Sequence, residues 1–294
     1  MIDLDFLHHL DKFSLIINKR VTSNYTGERP TQILGAGLVF RDHAAYGPGD
    51  DFRAIDWKVF GRTDRLFVKR YEAERNLTVH VILDFSASMH FASGKTSKGD
   101  YASMIGIGYS YMTLKNNERF VLSTFADKLE LFKAKKGRKQ LAGIVSYLND
   151  KKPSGQTDLV QAMSRYKKLI NSRSIIIIVS DFLYDPDVIR NALARYSKHE
   201  VRLVQVLDKL EIDLQGLEGD YKLRDSESPA MMRTYISPLL RKQYISRLSE
   251  HNAQIKKIAE ELGARFFSFS TDKPVFDAFY TMMGRELPRA THEH

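Results

Sequence analysis

Cysteine is absent from this chain of 294 residues, which excludes disulfides, thiolate nucleophiles and cysteine-ligated zinc together. Long apolar runs are absent too. The longest, Ile175 to Val179, is far short of the ~20 residues a helix needs to cross a bilayer. The opening MIDLDFLHHLDKF carries acids where a secretory leader would carry a basic segment and an apolar core. A soluble, cytoplasmic protein is the expectation. No P-loop, Gly-x-Ser-x-Gly elbow or His-Glu-x-x-His pair occurs, so the common phosphate, acyl-transfer and zinc-hydrolase signatures are missing. Tryptophan occurs once, as Trp57.

What is present is an ordinary globular composition, 43% hydrophobic and 28% charged, with a net charge of +9. That surplus raises the question of nucleic acid. The densest basic cluster, Lys133, Lys135, Lys136, Arg138 and Lys139, has one aromatic neighbour, Phe132, and no nucleic-acid motif. It reads as a solvated face, and nucleic acid is not the expected partner.

Along the chain, Leu4, Leu7, Leu10, Phe13, Ile16 and Ile17 recur at the spacing of an amphipathic helix. Residues 1–33 are taken as that helix with its connection. Residues 34–76 differ in kind. Turn residues cluster from Tyr46 to Asp51, Arg53, Ile55, Asp56 and Trp57 follow, and Leu66 to Tyr71 alternates like a strand. A small β-rich subdomain is expected there, with Trp57 as a packing anchor. Arg53, Asp56 and Trp57 are also the candidates for a docking surface, and Arg53 and Asp56 for an ion pair.

From residue 77 to about 284 the pattern alternates between strand and helix. Strands are expected at 77–84, 120–125, 128–132, 174–179, 201–207 and 265–270. Helices are expected at 100–114, 139–148, 159–170, 187–196, 239–262 and 274–283, with a hairpin excursion at 211–237 and a loose tail at 285–294. Such alternation implies an α/β fold, an open and mostly parallel sheet with helices on both faces. Ligand sites in these sheets lie beyond the carboxyl ends of the strands, where the strand order reverses.

Three segments fall at such places: Asp84-Phe85-Ser86-Ala87-Ser88, Gly155-Gln156-Thr157-Asp158 and Ser180-Asp181. Each alone is also a common turn or helix cap. Together, Asp84, Ser86, Ser88, Thr157 and Asp181 offer five oxygen donors and no nitrogen or sulfur, the chemistry of a hard cation, Mg²⁺, Mn²⁺ or Ca²⁺. The five positions resemble the metal-ion-dependent adhesion site of von Willebrand factor A domains. The resemblance covers residues 77–283. It implies that the serines and the threonine contact the metal directly or through water, and that the two aspartates act largely through water. The ion would then stay electrophilic and could accept an Asp or Glu from a protein partner.

The segment Tyr46 to Trp57, with Lys69 and Glu74, resembles the signature of a bacterial family, the domain-of-unknown-function 58 family. Its members are usually associated with MoxR-type AAA+ ATPases, so the resemblance implies such a partner. A metal-dependent protein-binding adaptor is the expected function, and no enzyme activity is expected. The rival is a Mg²⁺-dependent hydrolase or phosphotransferase using Asp84. Against it, the second acid that a haloacid-dehalogenase-like site needs two residues later is Ser86 here. Of the nine histidines, His80 and His90 lie nearest the candidate site. His80, within a strand, is read as structural.

Overall fold

In a computed structural model of the chain, residues 2, 5–13, 38–47, 50–73, 78–116, 118–132 and 138–283 are described. Two compact units emerge, Met1–Leu15 with Leu77–His294, and Ile16–Asn76. Leu4, Ile16, Ile17, Pro48, Gly49, Glu74, Lys133, Lys135, Lys136 and the expected tail at 285–294 lie outside the described residues.

The larger unit is built on the two most apolar strands, β3 (Thr78–Asp84) and β6 (Ser174–Ser180). They pair in parallel with Leu83 opposite Val179. Outside β3 come β4 (Arg119–Phe125), parallel, and β5 (Leu129–Phe132), antiparallel at the edge. Outside β6 come β7 (Glu200–Leu207) and β10 (Arg265–Ser270), both parallel. The sheet order is therefore β5-β4-β3-β6-β7-β10. Counted in chain order, that is the 3-2-1-4-5-6 arrangement of a doubly wound sheet, with its reversal between β3 and β6.

The strands are buried on both sides because alternate residues feed two cores. Ile82, Ile176, Ile178 and Leu203 pack with α5 (Leu159–Lys167), α6 (Pro186–Leu193) and α8 (Pro238–Glu261) through Met163, Tyr166, Ile189 and Ile255. On the opposite face lies α3 (Lys98–Lys115), where Gly106 sits against Leu83. Helix α4 (Arg138–Asp150) contacts α3. Isoleucines buried this completely stabilise the fold by about 1.5–3 kcal/mol each.

Gly108 of α3 leaves room for the ring of Phe279 in α9 (Val275–Met282), since a Cβ at Gly108 would fall 2.0 Å from Phe279 Cζ. Phe279 and Tyr280 in turn meet Phe13, at ring-centroid distances of 5.8 and 4.8 Å. Phe13 closes α1, residues 5–13, whose buried face is Phe6, Leu10 and Phe13. After β7, α7 (Lys209–Asp213) leads to an antiparallel hairpin of β8 (Gly219–Arg224) and β9 (Met231–Ile236).

The smaller unit pairs β1 (Leu38–Ala45) with β2 (Phe67–Ala73), antiparallel and with an irregularity between Phe40 and Asp42. It is not only strand and turn. A helix absent from the sequence expectation, α2 (Trp57–Thr63), lies between the strands. Asp56 caps it, its carboxylate accepting the Lys58 amide at 3.0 Å, and one good cap is enough to start a short helix whose own propensity is poor. At the first turn of α2 the Trp57 side chain is 62% exposed, with its ring edge-on to Phe60 at 6.1 Å. The expected Arg53–Asp56 pair is also replaced. Asp56 Oδ2 is 2.9 Å from His43 Nε2 and 3.4 Å from Lys69 Nζ, while the Arg53 guanidinium lies over the Phe52 ring at 5.8 Å.

The strand-end site

Three loops meet beyond the carboxyl ends of β3 and β6, and backbone hydrogen bonds stitch two of them together. Ala87 N donates to Gly155 O at 3.0 Å and Ser154 N to Phe85 O at 2.8 Å. Gly155 has φ +85, and a Cβ there would lie 2.4 Å from Asp127 Oδ2. Only glycine fits both that backbone and that approach. The Asp127 carboxylate then receives the Gln156 amide at 2.8 Å, which holds the loop with Thr157 facing the site.

The five side chains singled out in the sequence come together here. Asp84, fully buried, accepts the Ser86 amide on Oδ1 at 2.9 Å, with Thr157 Oγ1 3.4 Å from the same oxygen. Its Oδ2 accepts the hydroxyls of Ser180 at 2.7 Å and Tyr184 at 2.8 Å. Ser86 Oγ and Ser88 Oγ are 3.0 Å apart, and Ser88 Oγ donates to Asp181 Oδ2 at 2.8 Å. Arg53, Asp56 and Trp57 belong to the other unit.

Asp181 is presented by an unusual backbone. Phe182, the next residue, has φ +50 with its ring fully buried. A bulky residue in the left-handed region costs on the order of 1–3 kcal/mol, and such strain concentrates at functional sites. Core packing of the ring fixes the turn, and Gln205 Nε2 donates to Asp181 O at 3.0 Å.

Four neighbours were not foreseen from the sequence. Ser180 and Tyr184 hold Asp84 as described. Lys98 Nζ donates to Asp181 Oδ2 at 2.9 Å and to Glu211 Oε1 at 2.8 Å, with the lysine side chain 1% exposed. One signal for it existed: Lys98 shares a helical face with Tyr101, Ala102 and Ile105, all buried. The fourth is Glu227, in the turn of the β8–β9 hairpin. Its carbonyl accepts Gln156 Nε2 at 2.8 Å, and its Oε2 lies 3.4 Å from Thr157 N.

The electrostatics follow from burial. Desolvation raises the Asp84 carboxyl above its ordinary value, and the nearby charge of Asp181 adds to this. Burial also raises Glu211, against the pull of Lys98. Burial alone would depress the Lys98 ammonium, but Asp181 and Glu211 outweigh it and hold it above its ordinary value. Tyr184 is raised by burial and then by the charges of Asp84 and Asp181, so it stays a donor.

This donor set fits a divalent cation. The hydroxyls of Ser86 and Ser88 stand beside Asp181, that of Thr157 beside Asp84, and among the described residues Lys98 is the cation paired with Asp181 and Glu211. Buried negative charge without full compensation is costly, and a hard cation on oxygen donors relieves it. Both oxygens of Asp84 are already occupied by donors, an arrangement that orients a carboxylate and does not free it for attack.

The model of the family described as "Protein of unknown function DUF58" matches residues 42–254. An uncharacterised protein of Mycobacterium tuberculosis is 26% identical over 268 residues, covering 90% of this chain and 84% of that one. A second, from Mycobacterium avium, is 28% identical over 116 residues, 40% of this chain and 68% of that one. Among solved structures, an aerotolerance-related membrane protein of Bacteroides fragilis aligns at 13% identity and TM-score 0.45, covering 71% of this chain and 98% of that chain. The conserved hypothetical protein BatB of Bacteroides thetaiotaomicron aligns at 13% and 0.44, covering 71% and 97%. Among the described residues no helix is long and apolar enough to cross a membrane.

Proposed function

This chain belongs to the DUF58 family, and from that premise and the strand-end geometry we propose that it is a cation-dependent protein-binding adaptor. Asp84, Ser86, Ser88, Thr157 and Asp181 hold a divalent cation, Mg²⁺ in the first instance, with Mn²⁺ or Ca²⁺ as substitutes. The cation supplies an electrophilic point that a partner's Asp or Glu side chain completes. The partner we favour is a MoxR-type AAA+ ATPase, meeting the adaptor in the cytoplasm.

The observation that carries this reading is the convergence of the three loops. Ser86 and Ser88 meet Asp181, Thr157 meets Asp84, and the Ser86 amide on Asp84 joins the two sets. Each residue has a distinct task. Asp84 orients the Ser86 amide and the Thr157 hydroxyl from behind. Asp181 orients Ser88 and is itself held by Lys98. With the carboxylates engaged in this way, neutral hydroxyls form the face toward a ligand, and charge-assisted contact with a partner's carboxylate remains strong and directional.

The test is calorimetric titration of Mg²⁺ into the full chain and into a Ser86→Ala/Ser88→Ala variant, followed by capture of a purified MoxR-type ATPase with and without EDTA. Binding of Mg²⁺ by the wild type alone, with ATPase capture that EDTA releases, is the expected result. Equal capture by both proteins in excess EDTA would remove the metal from the mechanism.

A further inference from the structure

The β8–β9 hairpin reaches the site with a carboxylate of its own. Its turn is pre-shaped. Asp225 N donates to Ala230 O at 3.0 Å, Asp225 Oδ1 accepts the Glu227 amide at 2.9 Å, and Asp225 Oδ2 accepts Ser228 Oγ at 2.6 Å. This Asx-type turn projects Glu227 onto the Gly155–Thr157 loop. Two contacts from one residue hold it there, Gln156 Nε2 to the Glu227 carbonyl and Thr157 N to the Glu227 carboxylate. The arm behind it is thinly anchored. Leu223, Met231, Met232 and Tyr235 are exposed, and among its strand residues only Ile236 is buried.

We propose that Glu227 is the chain's own carboxylate for the strand-end site, capping the bound cation from the β8–β9 turn. This rests on the cation reading given above and deepens it. Thr157 links the two: its amide faces Glu227 Oε2 while its hydroxyl faces Asp84 Oδ1. A carboxylate is the group a hard, incompletely neutralised cation selects. Because its anchorage is one loop residue on an exposed arm, the cap is displaceable. The place it occupies is the one a partner's Asp or Glu would take, so partner capture and hairpin release are the same event.

The experiment is Mn²⁺ titration, followed by calorimetry, of the full-length wild type, Glu227→Gln, Glu218→Gln and Ser86→Ala/Ser88→Ala proteins. It is joined to hydrogen–deuterium exchange of residues 225–230 with and without Mn²⁺. Glu218 is an exposed acid at the base of the same hairpin and controls for charge alone. Expected is weakening of Mn²⁺ by about tenfold or more in Glu227→Gln, wild-type affinity in Glu218→Gln, and Mn²⁺-induced slowing of exchange that only Glu227→Gln and the double variant lack. Wild-type affinity and wild-type slowing in Glu227→Gln, beside a double variant that binds no Mn²⁺, overturn the cap and leave the cation site standing. Equal weakening in Glu218→Gln also overturns the cap. A wild type that takes up no Mn²⁺ overturns both.

Discussion

Lys98 Nζ lies 2.9 Å from Asp181 Oδ2 in a place from which solvent is almost excluded. The same ammonium is 2.8 Å from Glu211 Oε1, so one cation ties the end of β6 to the first turn of α7. Glu211 also closes the capping box of α7, its Oε2 accepting the Asp208 amide at 2.9 Å. Asp208, fully buried, accepts the amide and hydroxyl of Ser93. The strand-end site is therefore braced by a continuous polar chain running away from it.

Breaking that brace leaves the buried Asp181 carboxylate and the partly buried Glu211 carboxylate without their shared cation. Lys98→Met keeps the volume and removes the charge, and a buried pair broken from one side typically costs about 3–5 kcal/mol. Urea denaturation should show a loss of that size. A loss under about 1 kcal/mol would mean that Asp181 and Glu211 find water once the lysine is gone.

His80 is buried in β3, with Nδ1 2.9 Å from Tyr166 Oη. Burial, helped by His199, lowers its pKa from 6.5 to about 4. The sign follows from linkage: between pH 6.5 and 4 the unfolded chain binds a proton that the folded chain refuses. The contribution is complete above pH 6.5 and is lost as pH falls toward 4, by at most about 3 kcal/mol. An NMR titration should show the His80 ring still neutral at pH 5.5. A midpoint near 6.5 would refute this.

Gly108 and Phe279 form a tight pair across α3 and α9. Gly108→Ala should destabilise by about 1–3 kcal/mol through overpacking, and Phe279→Leu added to it should recover part of that loss. Thermal denaturation of the single and double variants decides the matter. Additive losses would show that the two positions do not meet in solution.

In the smaller unit the exposed and the paired residues should behave oppositely. Trp57→Ala is expected to leave the melting temperature unchanged, because the ring is mostly in solvent. Asp56→Ala is expected to lower it, because the Asp56 carboxylate is hydrogen-bonded to His43, caps α2 and meets Lys69, and is held down to about 2. Circular dichroism melts of both variants provide the check. If Trp57→Ala also abolishes partner capture at an unchanged melting temperature, the segment is a docking surface.

Much of the fold was legible because its period is local. The unbroken Ile175–Val179 run and the LTVHVILD segment mark strands covered on both faces, and apolar residues at helical spacing mark the helices between them. Their alternation fixes a parallel sheet, and a parallel sheet places sites at its carboxyl ends. For that reason Asp84, Ser86, Ser88, Thr157 and Asp181 were recognisable together although Asp84 and Asp181 lie far apart in the chain. The α2 helix was not legible, since WKVFGRT has weak helical propensity and owes its turn to the Asp56 cap. The exposure of Trp57 was not legible either, because a lone tryptophan usually anchors packing.

Residue type and spacing thus determined by themselves which oxygen-bearing side chains fall together at the ends of the sheet. Only the tertiary structure decided what surrounds them: Ser180 and Tyr184 on Asp84, Lys98 on Asp181, and Glu227 on Thr157. These contacts join residues far apart in the chain, and a charge far off in sequence is visible to a site only once the chain has folded it there.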